Sequence, residues 1–196
     1  ATREAIAIAH TALTSVLGNL GRFKTEKEAA DYLEYEMKRR GADAVSFTPI
    51  VAYGHRAAFP HAVSGKTVIK RENVLLFDIG ARKGGYCSDL TRTYFLGTMS
   101  ARFKQIYELV REAQQIAINT IKAGVVIGSV DEAVRTFFKR NKVARYFGHA
   151  TGHGIGLEVH ESPSLLYTNG ERFRENMVIT VEPGLYVKRW GGVRIE

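Results

Sequence analysis

Phe77-Asp78-Ile79-Gly80-Ala81-Arg82-Lys83-Gly84-Gly85-Tyr86-Cys87-Ser88-Asp89-Leu90-Thr91-Arg92-Thr93 is the stretch whose reading decides the fold. Val74-Leu75-Leu76 leads into it as an apolar run, and Thr91-Arg92-Thr93-Tyr94-Phe95 leaves it rich in strand formers. Between these arms, Gly80, Gly84 and Gly85 break regular structure and supply backbone conformations that a Cβ disfavours. The pattern predicts a β-hairpin with one aspartate on each arm. Folding back sets Asp78 beside Asp89, and two ionised carboxylates do not share a buried site without a compensating charge. A metal ion supplies that charge.

The same grammar recurs near the end of the chain. Val178-Ile179-Thr180-Val181-Glu182-Pro183-Gly184 reads as an apolar strand closing on a carboxylate, and Gly191-Gly192-Val193-Arg194-Ile195-Glu196 as a returning arm with a second one. Between the two hairpins lies Gly148-His149-Ala150-Thr151-Gly152-His153-Gly154-Ile155-Gly156-Leu157-Glu158-Val159-His160-Glu161, read as a histidine-rich strand. Asp78, Asp89, Glu182 and Glu196 with His153 form a metal inventory, and two divalent ions would neutralise the four carboxylates. Oxygen donors with one imidazole suit Mn, Co, Fe or Zn better than thiolate-seeking metals. Gly152, Gly154 and Gly156 lack the spacing of a phosphate-binding loop.

Composition bounds the answer. A chain of 196 residues is long enough for one domain, or two small halves around a shared core. An apolar fraction of 45% and a charged fraction of 24% fit a globular protein rather than a disordered one. The formal charge of +8 raises nucleic acid as a partner, but the basic residues are scattered, with short clusters only at Lys38-Arg39-Arg40 and Lys139-Arg140. The reading is therefore a basic solvated surface, with no nucleic-acid and no membrane partner, and a homodimer is compatible with it. A single cysteine, Cys87, excludes an intramolecular disulfide and fits a reducing compartment, the cytoplasm.

Around the hairpins the chain reads as helices. Ile6, Ala9, Leu13, Val16, Leu17 and Leu20 predict one over residues 3–20, closed by Gly21. Thr25 with Glu28 forms a capping box for a second, running to about Arg40 and stopped by Gly41. Val45 to Tyr53 is strand-like but interrupted by Pro49, and His55 to Ala62 is a loop with two histidines. Ser100 caps a long helix ending at Gly124, with Phe103, Ile106, Tyr107, Val110, Ala113, Ala117 and Ile121 on one face. Ser129 with Glu132 predicts another capping box. The order is helix, helix, strand, hairpin, and then the same again. This implies an α+β fold of two halves whose sheets merge into one layer under the helices, with the site between them.

Two divalent ions held close together bring the pKa of a shared water towards roughly 7, which provides a nucleophile for a carbonyl carbon. His61, His149 and His160 then stand ready to bind substrate or steady an oxyanion. Arg194 lies two residues before Glu196 on the same strand face and should point inward.

These residues resemble the pita-bread metallopeptidases, in the branch of aminopeptidase P and prolidase. The matching segments are Asp78-Ile79-Gly80 with Ser88-Asp89-Leu90-Thr91-Arg92-Thr93, Gly152-His153-Gly154-Ile155-Gly156-Leu157-Glu158 with His160-Glu161, Val181-Glu182-Pro183-Gly184, and Gly191-Gly192-Val193-Arg194-Ile195-Glu196. The resemblance implies hydrolysis of the Xaa-Pro bond at a peptide N-terminus, on peptides with proline in second position. It implies Asp78, Asp89, His153, Glu182 and Glu196 as ligands of two divalent ions, Mn or Co foremost, with Asp89 and Glu196 bridging. Glu182 would also shuttle the proton, His61 and His160 contact the scissile peptide, and His149 and Arg194 line the pocket. Methionine aminopeptidases, creatinase-like hydrolases and non-catalytic peptide-binding relatives share the fold and stand as alternatives. Residues 1–196 are expected to be the catalytic domain, without the family's additional N-terminal domain and stopping short of its last strand.

Overall fold

The computed structural model describes residues 1–196. Helix α1 (Thr2–Gly18) and helix α2 (Glu26–Arg39) come first. Strands β1 (Ala44–Val45), β2 (Ile50–Tyr53), β3 (Asn73–Ile79), β4 (Ala81–Lys83), β5 (Tyr86–Cys87) and β6 (Leu90–Leu96) complete the first half. The second half holds α3 (Ala101–Thr120), α4 (Gly128–Arg140), β7 (His153–Gly154), β8 (Glu161–Ser164), β9 (Gly184–Val187) and β10 (Gly191–Arg194). The α+β architecture of two helix-pair-and-hairpin halves is present as expected. Ladder pairing is divided among four short antiparallel sheets, in orders β1-β4-β5, β2-β3-β6, β7-β8 and β9-β10, rather than running as one continuous layer.

Strand β3 explains the architecture. Its run Val74 to Phe77 is buried on both faces, so it does not alternate in polarity. Leu75, Phe77 and Ile79 pack into a core with α1 and α2, whereas Val74 and Leu76 pack into a second core with α3, α4, Leu185 and Val193. Asp78 shares the parity of Val74 and Leu76 and so belongs to the face turned to the second half. β6 pairs with β3 from Asn73↔Leu96 to Ile79↔Leu90, and Asp89 stands one residue beyond that ladder. The excursion between the arms is itself a small hairpin, β4–β5, turned by Gly84 and Gly85 at positive φ.

The capping expectations divide. Thr25 Oγ1 accepts from the Glu28 N–H at 3.2 Å, and the reciprocal bond goes to the Lys24 N–H, which reaches Glu28 Oε2 at 2.7 Å. Ser100 Oγ accepts from the Phe103 N–H as expected. Ser129 does not cap α4. Its hydroxyl donates to the Val126 carbonyl, and the helix starts one residue earlier with Gly128. The free N–H groups of Ile127 and Gly128 donate instead to the carbonyls of Glu171 and Asn169, so a chain segment replaces the side-chain cap.

Three other expectations are corrected. α1 ends at Gly18 rather than near Gly21, and Leu20 to Arg22 forms a single 3-10 turn. Ile6 is 41% exposed, and the buried stripe is Ala5, Ile8, Ala9, Ala12, Leu13 and Val16, one step around the helix. α3 stops at Thr120, before Gly124. The apolar segment Val178 to Val181 is extended but is not the first arm of the second hairpin. It bonds to the histidine segment through Thr180 N–H to His153 O and Ile155 N–H to Val178 O. Pro183 offers no N–H to prolong a ladder, and the hairpin starts after it, at Gly184. No helix is long and apolar enough to cross a membrane.

Candidate metal centre

All five predicted ligands meet at the seam between the halves. One carboxylate oxygen from each of Asp78, Asp89 and Glu196 lies within 4.8 Å of the others. His153 Nε2 is 3.2 Å from Glu182 Oε1 and 3.6 Å from Asp89 Oδ2. The first hairpin delivers its aspartates at the ladder end. Glu182 is held by its own N–H, which donates to the Thr151 carbonyl at 2.8 Å. Glu196 is fixed against β6, where its N–H donates to Thr91 O and its Oε2 accepts from the Thr91 hydroxyl at 3.2 Å.

Electrostatics define what this cluster lacks. Four carboxylates face one guanidinium, Arg194, which is 3% exposed and donates to Asp78 Oδ2 at 2.5 Å. Burial pushes Asp78 up to about 7 despite Arg194, and Asp89 and Glu182 push it further the same way. Burial and the neighbouring carboxylates also hold Glu196 well above the ordinary range. Burial alone would lower His153, but the Asp89 and Glu182 carboxylates facing Nε2 lift it to about 10. Glu182 is lowered on balance: burial opposes ionisation, while His153 and then Arg194 favour it. The raised values of Asp78, Glu196 and His153 all express a deficit of positive charge.

The donor set fits divalent metal. Asp78 Oδ1, His153 Nε2 and Glu196 Oε1 are buried without a hydrogen-bond partner. Buried polar atoms rarely go unpaired, and these three occupy one cluster. His153 Nδ1 lies 2.9 Å from the Gly154 carbonyl, so Nδ1–H donates there and Nε2 is the nitrogen left for a metal, which would take the place of its proton. Thr180 supports the arrangement, its hydroxyl donating to Glu182 Oε1 at 3.3 Å and accepting from the His153 N–H.

Two adjoining hollows, of about 490 and 400 Å³, open onto the cluster and share His61, His153, His160, Glu182 and Arg194. The first is polar, flanked by His149, Glu161, Ser162 and Ser164. The second has an apolar wall of Phe47, Pro49, Ile50, Ala62 and Val63. The ring of His160 packs against that of His153 at a tilt of 60°, centroids 4.4 Å apart. His149 is differently committed, with Nδ1 2.7 Å from its neighbour's carbonyl at Ala150 and Nε2 2.7 Å from the Tyr186 hydroxyl. Burial lowers its pKa, so it is the neutral imidazole that takes the Tyr186 proton.

Tyr186 is the residue the sequence reading missed. Its hydroxyl accepts from Arg194 Nη1 at 3.0 Å, which joins Arg194, Tyr186 and His149 in one chain. Burial pushes its own pKa up to about 12, so it remains a donor. Register contained the signal: Tyr186 pairs with Gly192 and Gly184 with Arg194, so Tyr186 shares the inward face with Arg194. Arg194 points inward as expected, but most of its N–H groups are taken internally. Nε donates to Thr91, Nη1 to Pro60 O and Tyr186, and Nη2 to Asp78.

The sequence signature of metallopeptidase family M24 matches residues 1–196. A Xaa-Pro dipeptidase of Pyrococcus horikoshii is 40% identical over 193 residues, 98% of this chain and 55% of its own length. The X-Pro aminopeptidase structure from Thermotoga maritima superposes with a TM-score of 0.96 at 40% identity, covering 99% of this chain and 55% of that one. Prolidase from Pyrococcus furiosus follows at 0.93 and 38%, covering 99% and 58%. The chain thus spans little more than half the length of these relatives. A signature that runs from the first residue to the last, and a pita-bread backbone superposing on prolidases around this carboxylate cluster, make the chain a member of metallopeptidase family M24.

Proposed function

We propose that the chain hydrolyses the Xaa-Pro peptide bond at the N-terminus of peptides or in Xaa-Pro dipeptides. The observation that carries the reading is the set of unpartnered atoms on Asp78, His153 and Glu196, converging beneath two hollows. Asp78, Asp89, His153, Glu182 and Glu196 would hold two divalent ions, with Asp89 and Glu196 shared between them. When bound, such ions lower the pKa of water and polarise a carbonyl. Mn or Co suits the oxygen-rich donor set, and Zn or Fe is compatible with it.

Glu182, a carboxylate facing both hollows, would take a proton from the attacking water and return it to the departing nitrogen. That nitrogen must gain a proton as the C–N bond breaks, as any amide nitrogen does. His61 and His160 border both hollows and stand where the scissile peptide would cross between them. His149 acts through Tyr186, as a fixed wall of the polar hollow. The names of relatives, Xaa-Pro dipeptidase and prolidase, supply the substrate class.

The test is cleavage of Xaa-Pro, Met-Xaa and creatine substrates, each with and without added Mn or Co. Metal-dependent turnover of Xaa-Pro peptides above the other two is expected. Faster cleavage of Met-Ala peptides would move the chain to the methionine aminopeptidase branch. Metal binding without cleavage of any substrate would leave a peptide-binding relative.

A further inference from the structure

Outside the metal cluster the first half buries Glu26 and Glu36 and the second buries Asp131, and of these Glu26 and Asp131 are bonded to distant chain. Glu26 opens α2 and Asp131 is the fourth residue of α4, and both are 0% exposed. Removing such a group from water costs several kcal/mol, and a buried ion pair by itself is weak evidence for stability. What each carboxylate obtains in return is a set of hydrogen bonds from distant chain.

Glu26 Oε1 accepts from the Tyr53 N–H at 2.8 Å and from Arg56 Nε at 3.0 Å, and its Oε2 accepts from the Gly65 N–H at 3.1 Å. Arg56 Nη2 continues to the Val63 carbonyl. The loop between Tyr53 and Gly65, which carries His61, is therefore tied at both ends, with Arg56 on one side joined to Val63, two residues after His61. Asp131 Oδ1 accepts from the Thr151 hydroxyl at 2.7 Å, and its Oδ2 from Arg135 Nε at 2.7 Å and the Tyr167 N–H at 2.9 Å. Arg135 Nη2 donates at 2.7 Å to the carbonyl of His149 itself.

The two devices are alike in logic and different in position, since one carboxylate is the first helical residue and the other lies a turn deeper. In both, an arginine takes the carboxylate with one nitrogen and a backbone carbonyl with another, that of Val63 beside His61 in the first and that of His149 in the second. The guanidinium's fixed fork reaches the two acceptors from separate nitrogens, a geometry that the single nitrogen of an ammonium does not reproduce. We propose that Glu26–Arg56 and Asp131–Arg135 are positioning pairs, the first setting His61 and the second setting His149, each independently of the other. The kinetic consequence rests on the peptidase reading above; the positional one does not.

The test uses the 196-residue chain with 13C-labelled histidine. The Cε1–H resonances of His61 and His149 are assigned from His61→Gln and His149→Gln. Glu26→Gln, Asp131→Asn, Arg56→Lys and Arg135→Lys are then compared. The lysine variants keep the charge and lose the second contact, and Arg135→Lys also loses the guanidinium's place over Phe147 and Tyr167; they decide the matter if a carboxylate variant does not fold. Arg56→Lys is expected to move the His61 resonance alone, and Arg135→Lys the His149 resonance alone. Each should lower kcat/KM on Ala-Pro about tenfold to a hundredfold with bound Mn unchanged. Both resonances moving together, neither moving, or a resonance moving with kcat/KM intact would overturn the inference. A wild-type chain that cleaves no Xaa-Pro peptide would instead remove the peptidase reading, and the resonances would still decide the positioning.

Discussion

Asp78 lies within a seven-residue ladder and Asp89 one residue off its end, whereas Glu182 stands on no strand and Glu196 lies two residues beyond the short β10. The first half holds its carboxylates by its own sheet. The second holds Glu182 through backbone bonds to the histidine segment and Glu196 through the threonines of the first half's β6. Thr93 Oγ1 bonds both N–H and C=O of Arg194, and Thr91 reaches Arg194 Nε and Glu196 Oε2. One half is thus a rigid template, and the other is completed on contact with it.

The largest effects should come from the contact itself. Glu182→Gln removes both a ligand and the proposed proton carrier, so turnover should fall by about 10²-fold or more, and metal content should fall with it. His160→Ala should depress kcat/KM at nearly unchanged metal content, because His160 packs against a ligand without being one. Metal analysis of both variants alongside steady-state kinetics separates the two roles. Equal metal loss would put His160 among the ligands.

Metal removal comes next. A ligand that binds only the folded state adds about 2.7 kcal/mol at a hundredfold excess over Kd, worth roughly 5–10 °C in Tm for a chain of this size. Asp78, at about 7, and Glu196 are raised chiefly by burial, so in the stripped protein they favour folding only while protonated. That contribution is complete below their ordinary values and is lost as pH rises through about 7. The gap between loaded and stripped melting curves should therefore widen from pH 5.5 to pH 8. Asp89→Asn should reproduce part of the stripping. A gap that narrows as pH rises would reverse the assignment of these shifts.

A smaller change tests the dependence of one half on the other. Thr91→Val keeps the shape of the strand and leaves Arg194 Nε and Glu196 Oε2 short of a partner. A loss of about 1–3 kcal/mol in denaturant unfolding is expected, with weaker Mn binding. Unchanged Mn affinity would mean that Glu196 is held without β6.

The smallest effect lies far from the site and in one half only. Glu36 of α2 is held down at about 2 by the hydrogen bond from Arg39, against burial, with Arg40 adding to the effect. α4 ends on Lys139 and Arg140, which have no such partner. A depressed carboxylate stabilises the fold above its unfolded value and loses that contribution as pH falls from about 4.5 towards 2. Glu36→Gln should flatten the Tm-versus-pH curve in that window and leave its slope above pH 6 untouched. An unaltered acid limb would assign acid sensitivity elsewhere.

Much of this was legible in the sequence because hairpin one advertises itself. An uninterrupted apolar run, three glycines and two flanking aspartates admit few readings. The helix pairs were legible through their periodicity, although α1 shows how a stripe of small residues misleads: Ala5 and Ala12 are buried while Ile6 faces solvent. The second half was less legible because its order is tertiary. Ser129 has the sequence of a cap, yet the Glu171 and Asn169 carbonyls perform that task. Val178 to Val181 has the composition of a hairpin arm, yet it bonds to His153. Tyr186 and Asp131 gave no local sign, since a tyrosine in a strand and an acid in a first helical turn are ordinary until their distant partners are known.

The most direct test of the account is a count of metal. The protein is stripped with chelator, reloaded with Mn at neutral pH, desalted and analysed for bound Mn per chain, in the wild type and in Asp89→Asn. Five groups from two halves acting as one centre predict two Mn per wild-type chain and a clear loss in the variant, whose missing charge is the proposed bridge. A wild-type chain that retains no Mn, or a variant that retains as much as the wild type, would contradict it.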